Sequence, residues 1–381
     1  PYQTLYGLGY KNGSEAGAYF TVIANPSLKW ETQISTDIAL EFGLFDRLTG
    51  TIEYFKKDSK DLLFDVSQPA SVGVTSIIQN IGKVTNSGVE IELDYNAFKN
   101  KDWSVSVGAN ATFVKNKIKN LPATMKENGY ISGSKKWLEG KSIYEFWLRQ
   151  WHGVDPQTGD GLYVADVSKY NQGNIGTGDG NITQSQFDEY KKTVVTIDGK
   201  ELTNSYTYAK YDFSGSSIPD VYGGFNVRVS YKNFDLAAVF SYQLGGQILD
   251  TNYATMMSMT EFGYAQSPDL LKAWKQAGDI TEVPRIDNSA AHTTNIGQSY
   301  STRWLTSSDY LNLRSVTIGY QLPKTWLSKV MLKSARLNLT AENLFMLKAR
   351  QGLNPMANYS GVTYNEYMPS RNITLGLNVS F

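Results

Sequence analysis

The sequence contains no cysteine and only two histidines, His152 and His292, among its 381 residues. The lack of thiols excludes a disulfide framework, a cysteine nucleophile, a cysteine-based zinc site and a cysteine-bound iron–sulfur cluster. Two isolated histidines exclude a multi-histidine metal centre, so no resident cofactor is expected. Basic and acidic residues both number 36, which gives zero net charge. This balance argues against a protein that binds nucleic acid through net basic charge.

Long apolar runs are also missing. The longest clean run, Leu236–Phe240, is far below the roughly 18 apolar residues of a transmembrane helix. A transmembrane β-barrel is not excluded, because its signal is alternation. Aromatic residues are abundant, with 25 Tyr, 16 Phe and 8 Trp, although the mean hydropathy is a mildly polar -0.35. Amphipathic aromatic side chains favour surfaces such as the membrane–water interface.

Nine segments alternate apolar and polar residues with a period of two, which predicts β-strands. The opposite faces carry Ser, Thr, Asn, Gln, Gly and scattered charges, which suits the wall of a wet lumen. About ten residues at roughly 3.3 Å each, tilted by about 40°, cover roughly 25 Å, the height of an outer-membrane apolar band. The nine segments are Gln33–Leu44, Leu48–Lys56, Gly88–Asn96, Trp103–Phe113, Val221–Tyr231, Phe234–Leu244, Ser315–Leu322, Ala335–Glu342 and Asn372–Phe381.

The connections between these segments alternate between short and long. Short turns at one rim and long loops at the other are typical of outer-membrane barrels, with the long loops outside the cell. Aromatic residues collect beside the short turns, which predicts a periplasmic girdle; ordinary packing at a sandwich edge is the alternative. The girdle residues are Phe45, Phe98, Trp103, Tyr231, Phe234, Trp326 and Phe381.

Nine strands are an odd number, whereas single-chain bacterial barrels have an even number. An open edge in lipid would leave backbone groups unsatisfied, so we expect further strands outside this chain. The chain starts at Pro1 without a methionine or a signal segment, which favours a fragment. We assign residues 1–32 to the extracellular loop of a preceding hairpin, and residues 33–381 to barrel strands and their loops.

Several segments, in order along the chain, resemble the SusC/RagA-like TonB-dependent transporters of Bacteroidota outer membranes. They are spread in order from Asn25 to Phe381, and the specificity lies in their combination and order. The matching segments are Asn25–Glu31 (NPSLKWE), Phe42–Leu63, Asn80–Leu93 (NIGKVTNSGVEIEL), Val154–Val164 (VDPQTGDGLYV), Ser216–Gly246, Ser307–Leu327, Leu337–Phe345 (LNLTAENLF) and the terminal NITLGLNVSF.

The resemblance implies an all-β fold, in which this chain supplies the C-terminal nine strands of a 22-stranded barrel plugged by an N-terminal domain. It implies import of oligosaccharides or peptides, powered through a TonB box and the TonB–ExbB–ExbD complex. A SusD-like surface lipoprotein would form a lid. A passive porin or adhesin-like barrel is an alternative from another class, and a soluble carbohydrate-binding sandwich or enzyme is a third.

Three aspartates in glycine-rich turns, Asp155, Asp160 and Asp179, are weak calcium candidates. An EF-hand alignment on Gly180 places Ile175 and Gln186 where carboxylates are needed, so Gly/Asp turns are the favoured interpretation. Trp147 and Trp151 are candidate contacts for substrate or lid, against the alternative that they pack the loop on itself. No motif supplies a nucleophile or an acid for His152, so we do not expect an enzyme.

The last strand ends in Phe381, after Leu377 and Val379 on the same predicted face. An alternating terminal strand that ends in Phe is the signal that the barrel-assembly machinery reads in outer-membrane proteins. A chance Phe at the terminus is the alternative. Residues Pro268–Lys275 predict a short amphipathic helix in a long loop, which we expect to stabilise that loop.

Overall fold

The computed structural model describes residues 3–381 except 179, 259–262, 264, 288, 290, 291, 293–295, 298 and 328–331. In this part of the chain, nine long strands form one antiparallel sheet, in which each strand pairs with its neighbours in sequence. The strands are β1 (Thr32–Leu44), β2 (Leu48–Lys60), β3 (Lys83–Lys99), β4 (Trp103–Asn120), β5 (Val221–Tyr231), β6 (Phe234–Leu244), β7 (Tyr310–Gln321), β8 (Ser334–Lys348) and β9 (Asn372–Ser380).

Tight turns fix the register at one rim of the sheet, which we call the short-turn rim. Leu44 pairs with Leu48 across a turn in which Phe45 and Asp46 both have positive φ, as the twist of a hairpin requires. Tyr231 pairs with Phe234 around another tight turn. Because the side-chain period is two, these turns decide which face every residue of the hairpin occupies.

The sheet has one apolar face and one polar face. On the apolar face, large side chains such as Ile38, Leu40, Leu375 and Leu377 are exposed along the strands. The predicted girdle aromatics are exposed at the short-turn rim, where Trp103 lies 4.3 Å from Tyr231 between ring centroids. None of the helices in the described residues is long and apolar enough to cross a bilayer.

All nine predicted strands are present, and three of them, β3, β4 and β8, are much longer than predicted. β3 begins at Lys83 and β4 ends at Asn120, whereas alternation predicted Gly88 and Phe113 as those ends. Beyond Gly88 and Phe113, polar residues and lysines take the places that apolar residues occupy in the alternating pattern. The backbone pairing continues, from Gly88–Val114 to Lys83–Asn120, although the hydrophobic signal has ended.

The long connections, at residues 61–82, 121–220, 245–309 and 349–371, all leave the opposite rim, the long-loop rim. We call them together the loop layer. They contain many short strands, and two sheets of four strands lie within residues 130–216. The strands are Leu63–Ser67, Ser76–Asn80, Tyr130–Ser132, Lys135–Trp137, Glu145–Arg149, Trp151–Val154, Gly161–Val164, Val194–Ile197, Lys200–Thr203, Tyr211–Ser216, Gln247–Leu249 and Leu305–Ser307.

Helices are few and short. The α-helix Gln184–Thr193 has a capping box, in which Thr183 and Gln186 satisfy each other's backbone N–H groups. The predicted helix at Pro268–Lys275 is a shorter 3-10 turn, Pro268–Lys272. The other helical segments are Ala70–Val72, Ala123–Met125, Gln172–Asn174, Tyr206–Tyr208, Thr251–Met256, Thr302–Trp304 and Lys324–Leu327.

The largest buried cluster lies in the loop layer rather than on the sheet of nine long strands, which we call the barrel sheet. It joins three of the long connections, so these segments are packed like a small globular core. Its buried members are Phe146, Leu148, Leu249, Ala254, Met257, Ala273, Val283, Trp304 and Val362. Within residues 1–32, Leu5–Asn12 and Glu15–Val22 form a separate hairpin, in which Tyr6 and Phe20 pack together.

Candidate functional site

The polar face of the barrel sheet has two chemical regions. Across β1–β3 it is acidic, and Glu53 is the direct cross-strand partner of Glu90. Like charges in such pairs are destabilising, so this arrangement suits a wet wall that can face a ligand or another segment. Across β6–β8, Arg336 donates to Asp235 at 2.6 Å, and the hydroxyls of Thr317 and Thr340 lie 3.1 Å apart. The acidic region consists of Glu41, Glu53, Glu90, Glu92 and Asp94.

A half-buried aromatic face lies on one of the two four-stranded sheets of the loop layer, the sheet that contains Glu145–Arg149 and Tyr211–Ser216. Trp147 is the cross-strand partner of Phe213, and its ring lies 6.1 Å from that of Tyr211 in a stacked arrangement. Cations cover these rings: Lys136 Nζ is 4.1 Å from the Trp147 ring, and Arg149 Cζ is 4.4 Å from the Tyr211 ring. Alternate residues of the same strand, Phe146 and Leu148, are buried on the other face.

Trp151 has a different environment, because it fills the contact between two long connections. Its ring packs edge-on against Tyr163, with centroids 5.1 Å apart, and lies where a side chain on Gly161 would be. Arg303 lies over the other side, with Cζ 4.7 Å from the Trp151 ring and 4.3 Å from the Trp304 ring. Burial lowers the pKa of Arg303 to about 10. Trp151 therefore packs the loop layer on itself.

The calcium candidates that the structure describes are engaged in turns and ion pairs. Asp155 accepts hydrogen bonds from the backbone N–H of Gln157 and the hydroxyl of Thr158, both at 2.9 Å, as in an Asx turn. Asp160 lies 3.0 Å from the guanidinium of Arg285. Asp179 lies outside the described residues. In the described part of the chain, no group of three or more acidic, histidine or cysteine side chains is arranged to hold a metal ion.

Lys135 is a buried cation in the loop layer, with only 8% of its surface exposed. Its Nζ donates to the carbonyl oxygen of Tyr144 at 2.9 Å and lies 3.1 Å from the centre of the Phe146 ring. Burial lowers the pKa of Lys135 to about 7, and the nearby Glu145 opposes this shift. This amine therefore titrates near neutral pH at the centre of the four-stranded loop sheet.

Asp250 ties two long connections together, and only 4% of its surface is exposed. Its carboxylate accepts hydrogen bonds from the backbone N–H of Tyr253 at 3.0 Å and from the hydroxyl of Thr363 at 3.3 Å. Arg350 Nη1 lies 3.2 Å from the other carboxylate oxygen, and its Cζ lies 3.7 Å from the Tyr253 ring centre. One residue thus caps the helix Thr251–Met256 and binds the 349–371 connection.

The terminal strand β9 exposes its apolar residues, as the alternation predicts. Leu377 pairs with Leu337 of β8, and Val379 pairs with Ala335. Phe381 follows the end of β9, at the short-turn rim, with 81% of its surface exposed. These positions describe an apolar strand face, and the assembly role of the three residues stays a prediction.

A model of the TonB dependent receptor-like β-barrel family matches residues 1–180. The antiparallel sheet and the relatives described next point to the same family as this match. Residues 1–180 match a TonB-dependent receptor β-barrel, and the whole chain is similar to such receptors. The resemblance to SusC/RagA-like proteins is confirmed, and so is the all-β barrel fold of an outer-membrane receptor. The named relatives are receptors and transporters rather than enzymes.

Curated relatives extend this receptor assignment over nearly the whole chain. TonB-dependent receptor P3 of Formosa agariphila is 29% identical over 96% of the chain and 36% of its own length. TonB-dependent receptor SusC of Bacteroides thetaiotaomicron is 24% identical over 94% of the chain and 32% of its own length. The chain thus spans about a third of the length of these receptors.

Solved structures show the same fold. The RagAB peptide importer in its closed-closed state matches with a TM-score of 0.77 and 25% identity, over all of this chain and 39% of that one. The RagAB peptide transporter matches with a TM-score of 0.76 and 24% identity over the same shares. The long connections of this receptor barrel are included in the match, since it covers the whole chain.

Sequence reasoning found the two tryptophans but missed Lys135 and Asp250. No local pattern distinguishes Lys135 from Lys136, and only the strand register places the first in the core and the second on the aromatic face. Asp250 precedes a short helix, as an N-cap residue does, so one part of its role was readable. Its partner Arg350 lies 100 positions away in the chain, which no local signal connects to it.

Proposed function

We propose that the full-length protein imports oligosaccharides or peptides across the outer membrane in a TonB-dependent manner, together with a SusD-like lipoprotein. The observation that carries this proposal is the match of the whole chain, with its loop layer, to SusC-like receptors and to RagAB. Because the chain spans about a third of those receptors, the energy-coupling parts and the partners belong to the proposal.

The proposed orientation places the short-turn rim in the periplasm and the loop layer outside the cell. Residues 1–32 are then the extracellular loop of a preceding hairpin, and residues 33–381 are the C-terminal nine strands of a 22-stranded, plugged barrel. The short turns at one rim and the long connections at the other support this orientation, because outer-membrane barrels have short periplasmic turns and longer extracellular loops. Protease treatment of intact cells should cleave within 121–220 and spare the short turns.

In this arrangement the aromatic face around Trp147 contacts substrate or the lipoprotein lid, and Trp151 holds the connections behind it. Half-buried aromatic anchors of this kind carry much of the binding energy in protein interfaces. Replacing Trp147 with Ala should weaken binding of substrate or lid by roughly 30-fold, as expected for a loss of about 2 kcal/mol. Trp326→Ala at the opposite rim is the matched control and should leave binding unchanged.

Uptake measurements in a deletion strain test the proposed activity. Full-length protein should restore uptake of fluorescent peptides or oligosaccharides, whereas a variant without its TonB box should not, at equal membrane levels. Uptake that persists without the TonB box would instead support a passive pore. Co-purification identifies the lipoprotein partner, and the class of probe that accumulates identifies the substrate.

We also propose that Phe381, with Val379 and Leu377, forms the signal that the barrel-assembly machinery reads. Deletion of Phe381 from the full-length protein should lower the amount of heat-modifiable, folded protein in the outer membrane. Phe45→Ala, at another exposed aromatic of the same rim, is the control for a general loss of apolar surface. Normal levels of folded protein after deletion of Phe381 would contradict the proposal.

A further inference from the structure

The apolar face of the barrel sheet ends in lysines toward the long-loop rim. On β4 the apolar residues run from Trp103 to Phe113, and Lys115 and Lys117 continue the same face. Ten residues at about 3.3 Å, tilted by about 40°, rise by roughly 25 Å, which is the height of the apolar band of an outer-membrane barrel. The lysines therefore begin where the hydrocarbon of the bilayer ends.

Neighbouring strands extend this feature into a stripe of five lysines. Lys56 and Lys83 each lie 3.4 Å from a carboxylate oxygen of Asp58, which also accepts a hydrogen bond from Thr85 at 2.6 Å. Strand register places Lys60 opposite Lys83, Lys115 opposite Ser87, and Lys117 opposite Thr85. We call this set the lysine stripe; it consists of Lys56, Lys60, Lys83, Lys115 and Lys117.

The lysine stripe has more positive charge than its neighbours neutralise. Lys56 and Lys83 share the carboxylate of Asp58, and the carboxylate of Asp220 lies at the neighbouring cleft, so the five ammonium groups meet two carboxylates. Among the described residues, neither Lys115 nor Lys117 forms an ion pair, and both are exposed. Lys60 and Lys83 are direct partners on adjacent strands and repel each other, so an external anion would stabilise them.

A cleft of about 640 Å³ lies directly beside the lysine stripe. Its walls include Tyr54, Val89 and Phe113 of the apolar face, together with Lys115 and Lys117. Ile218, Pro219 and the carboxylate of Asp220 close it from the loop layer. One end of the cleft is thus apolar and continuous with the band of the barrel, and the other end is cationic.

We propose that the lysine stripe and this cleft bind the phosphorylated headgroup of a membrane lipid, with the start of an acyl chain over Tyr54, Val89 and Phe113. The lipid belongs to the outer leaflet if the long-loop rim faces outward, so the choice of leaflet rests on the proposed function. Continuity with the apolar band favours a lipid over free phosphate, which would make no use of the apolar wall. Clusters of lysine next to a membrane attract anionic headgroups in this way.

Lipid binding to the purified full-length protein in detergent tests the proposal. The probe is monophosphorylated lipid A, measured by titration and by native mass spectrometry. Binding of the same lipid without its phosphate is measured in parallel. Inorganic phosphate is tested as a competitor of the phosphorylated lipid. The test variant is Lys115→Gln with Lys117→Gln. The matched control is Lys191→Gln with Lys192→Gln, at two exposed lysines of the helix Gln184–Thr193.

The double variant on the stripe should bind the phosphorylated lipid about 30-fold more weakly, because each of the two replaced lysines contributes roughly fivefold near an anionic surface. The control should bind normally, and the lipid without phosphate should bind weakly to every variant. Equal binding by the stripe variant and the parent, or no binding by the parent, would overturn the proposal. Full competition by inorganic phosphate at equal concentration would also overturn it, in favour of a simple anion site.

Heat-modifiable mobility establishes that each variant is folded before binding is compared. The measurement uses purified protein and does not depend on transport. A parent protein that imports its substrate but binds no lipid would therefore overturn this inference alone. A parent that binds the lipid but needs no TonB box for uptake would overturn the proposed function alone.

Discussion

The buried lysine of the loop layer predicts an unusual dependence of local stability on pH. Lys135 contacts the Phe146 ring and the Tyr144 carbonyl, and burial lowers its pKa from 10.5 to about 7. When the loop sheet opens, the amine regains water and its ordinary pKa. Replacing Lys135 with Met keeps the length and the apolar stem but removes the group that titrates.

The sign of the effect follows from which state binds more protons. Below pH 7, Lys135 is protonated in both the closed and the open state, so its full desolvation cost is present. Between pH 7 and 10.5 the open state holds more protons, so the free energy of opening rises with pH. The slope is about 1.4 kcal/mol per pH unit, or about 3 kcal/mol between pH 8 and pH 10.

Hydrogen exchange of the full-length protein measures this opening. For peptides that cover 144–149 and 211–216, the ratio of protection between Lys135→Met and the parent cancels the intrinsic effect of pH on exchange. At pH 7 to 8, Lys135→Met should be more protected from exchange than the parent. Above pH 8 the ratio of protection should fall by roughly tenfold per pH unit.

Lys136→Met is the matched control, because Lys136 lies on the opposite, half-buried face over the Trp147 ring. Replacing Lys136 with Met should change the protection from hydrogen exchange by the same small factor at every pH. A ratio for Lys135→Met that stays constant from pH 7 to pH 10 would refute the assignment of a buried, titrating amine.

Three further predictions concern the loop layer. Asp250→Asn should weaken the attachment of the 349–371 connection by about 3–5 kcal/mol, since it breaks a buried ion pair. Lys272→Gln, in an exposed pair, should have little effect, and limited proteolysis of 349–371 distinguishes the two variants. Gly361→Ala should lower the melting temperature of this layer, because φ is +72° and the new Cβ would clash with Ser217 Cβ. Calcium should leave the proteolysis of residues 150–190 unchanged, and calcium-dependent protection there would contradict the Asx-turn interpretation.

The barrel wall was largely readable from the sequence, because its residues obey one simple rule. A strand with a polar face and an apolar face must alternate, so Val221–Tyr231 and Phe234–Leu244 were predicted with their correct bounds. The prediction was wrong at Lys83 and Asn120, since pairing continues past the apolar band. There the hydrogen-bond ladder, rather than burial of apolar groups, determines how far the strands extend.

The loop layer was not readable in this way. Its core depends on pairs such as Leu249 and Val362, which lie in different connections and form an isolated parallel bridge. Trp147 and Trp151 look equivalent in the sequence, four residues apart in one aromatic segment. Their separation into an open aromatic face and a packed contact depends on Arg303, about 150 residues later.

The barrel wall and the loop layer are therefore stabilised by different interactions. The barrel wall is held by its continuous backbone ladder, so side chains such as Glu53 and Glu90 need not satisfy each other. The loop layer has its own buried cluster and its own buried charges, as a small globular domain has. Because Phe146 and Leu148 support the aromatic face from behind, Trp147 and Tyr211 can change without disturbing the wall. Under the proposed function, such an arrangement would let the aromatic face of the loop sheet change its ligand while the nine long strands stay the same.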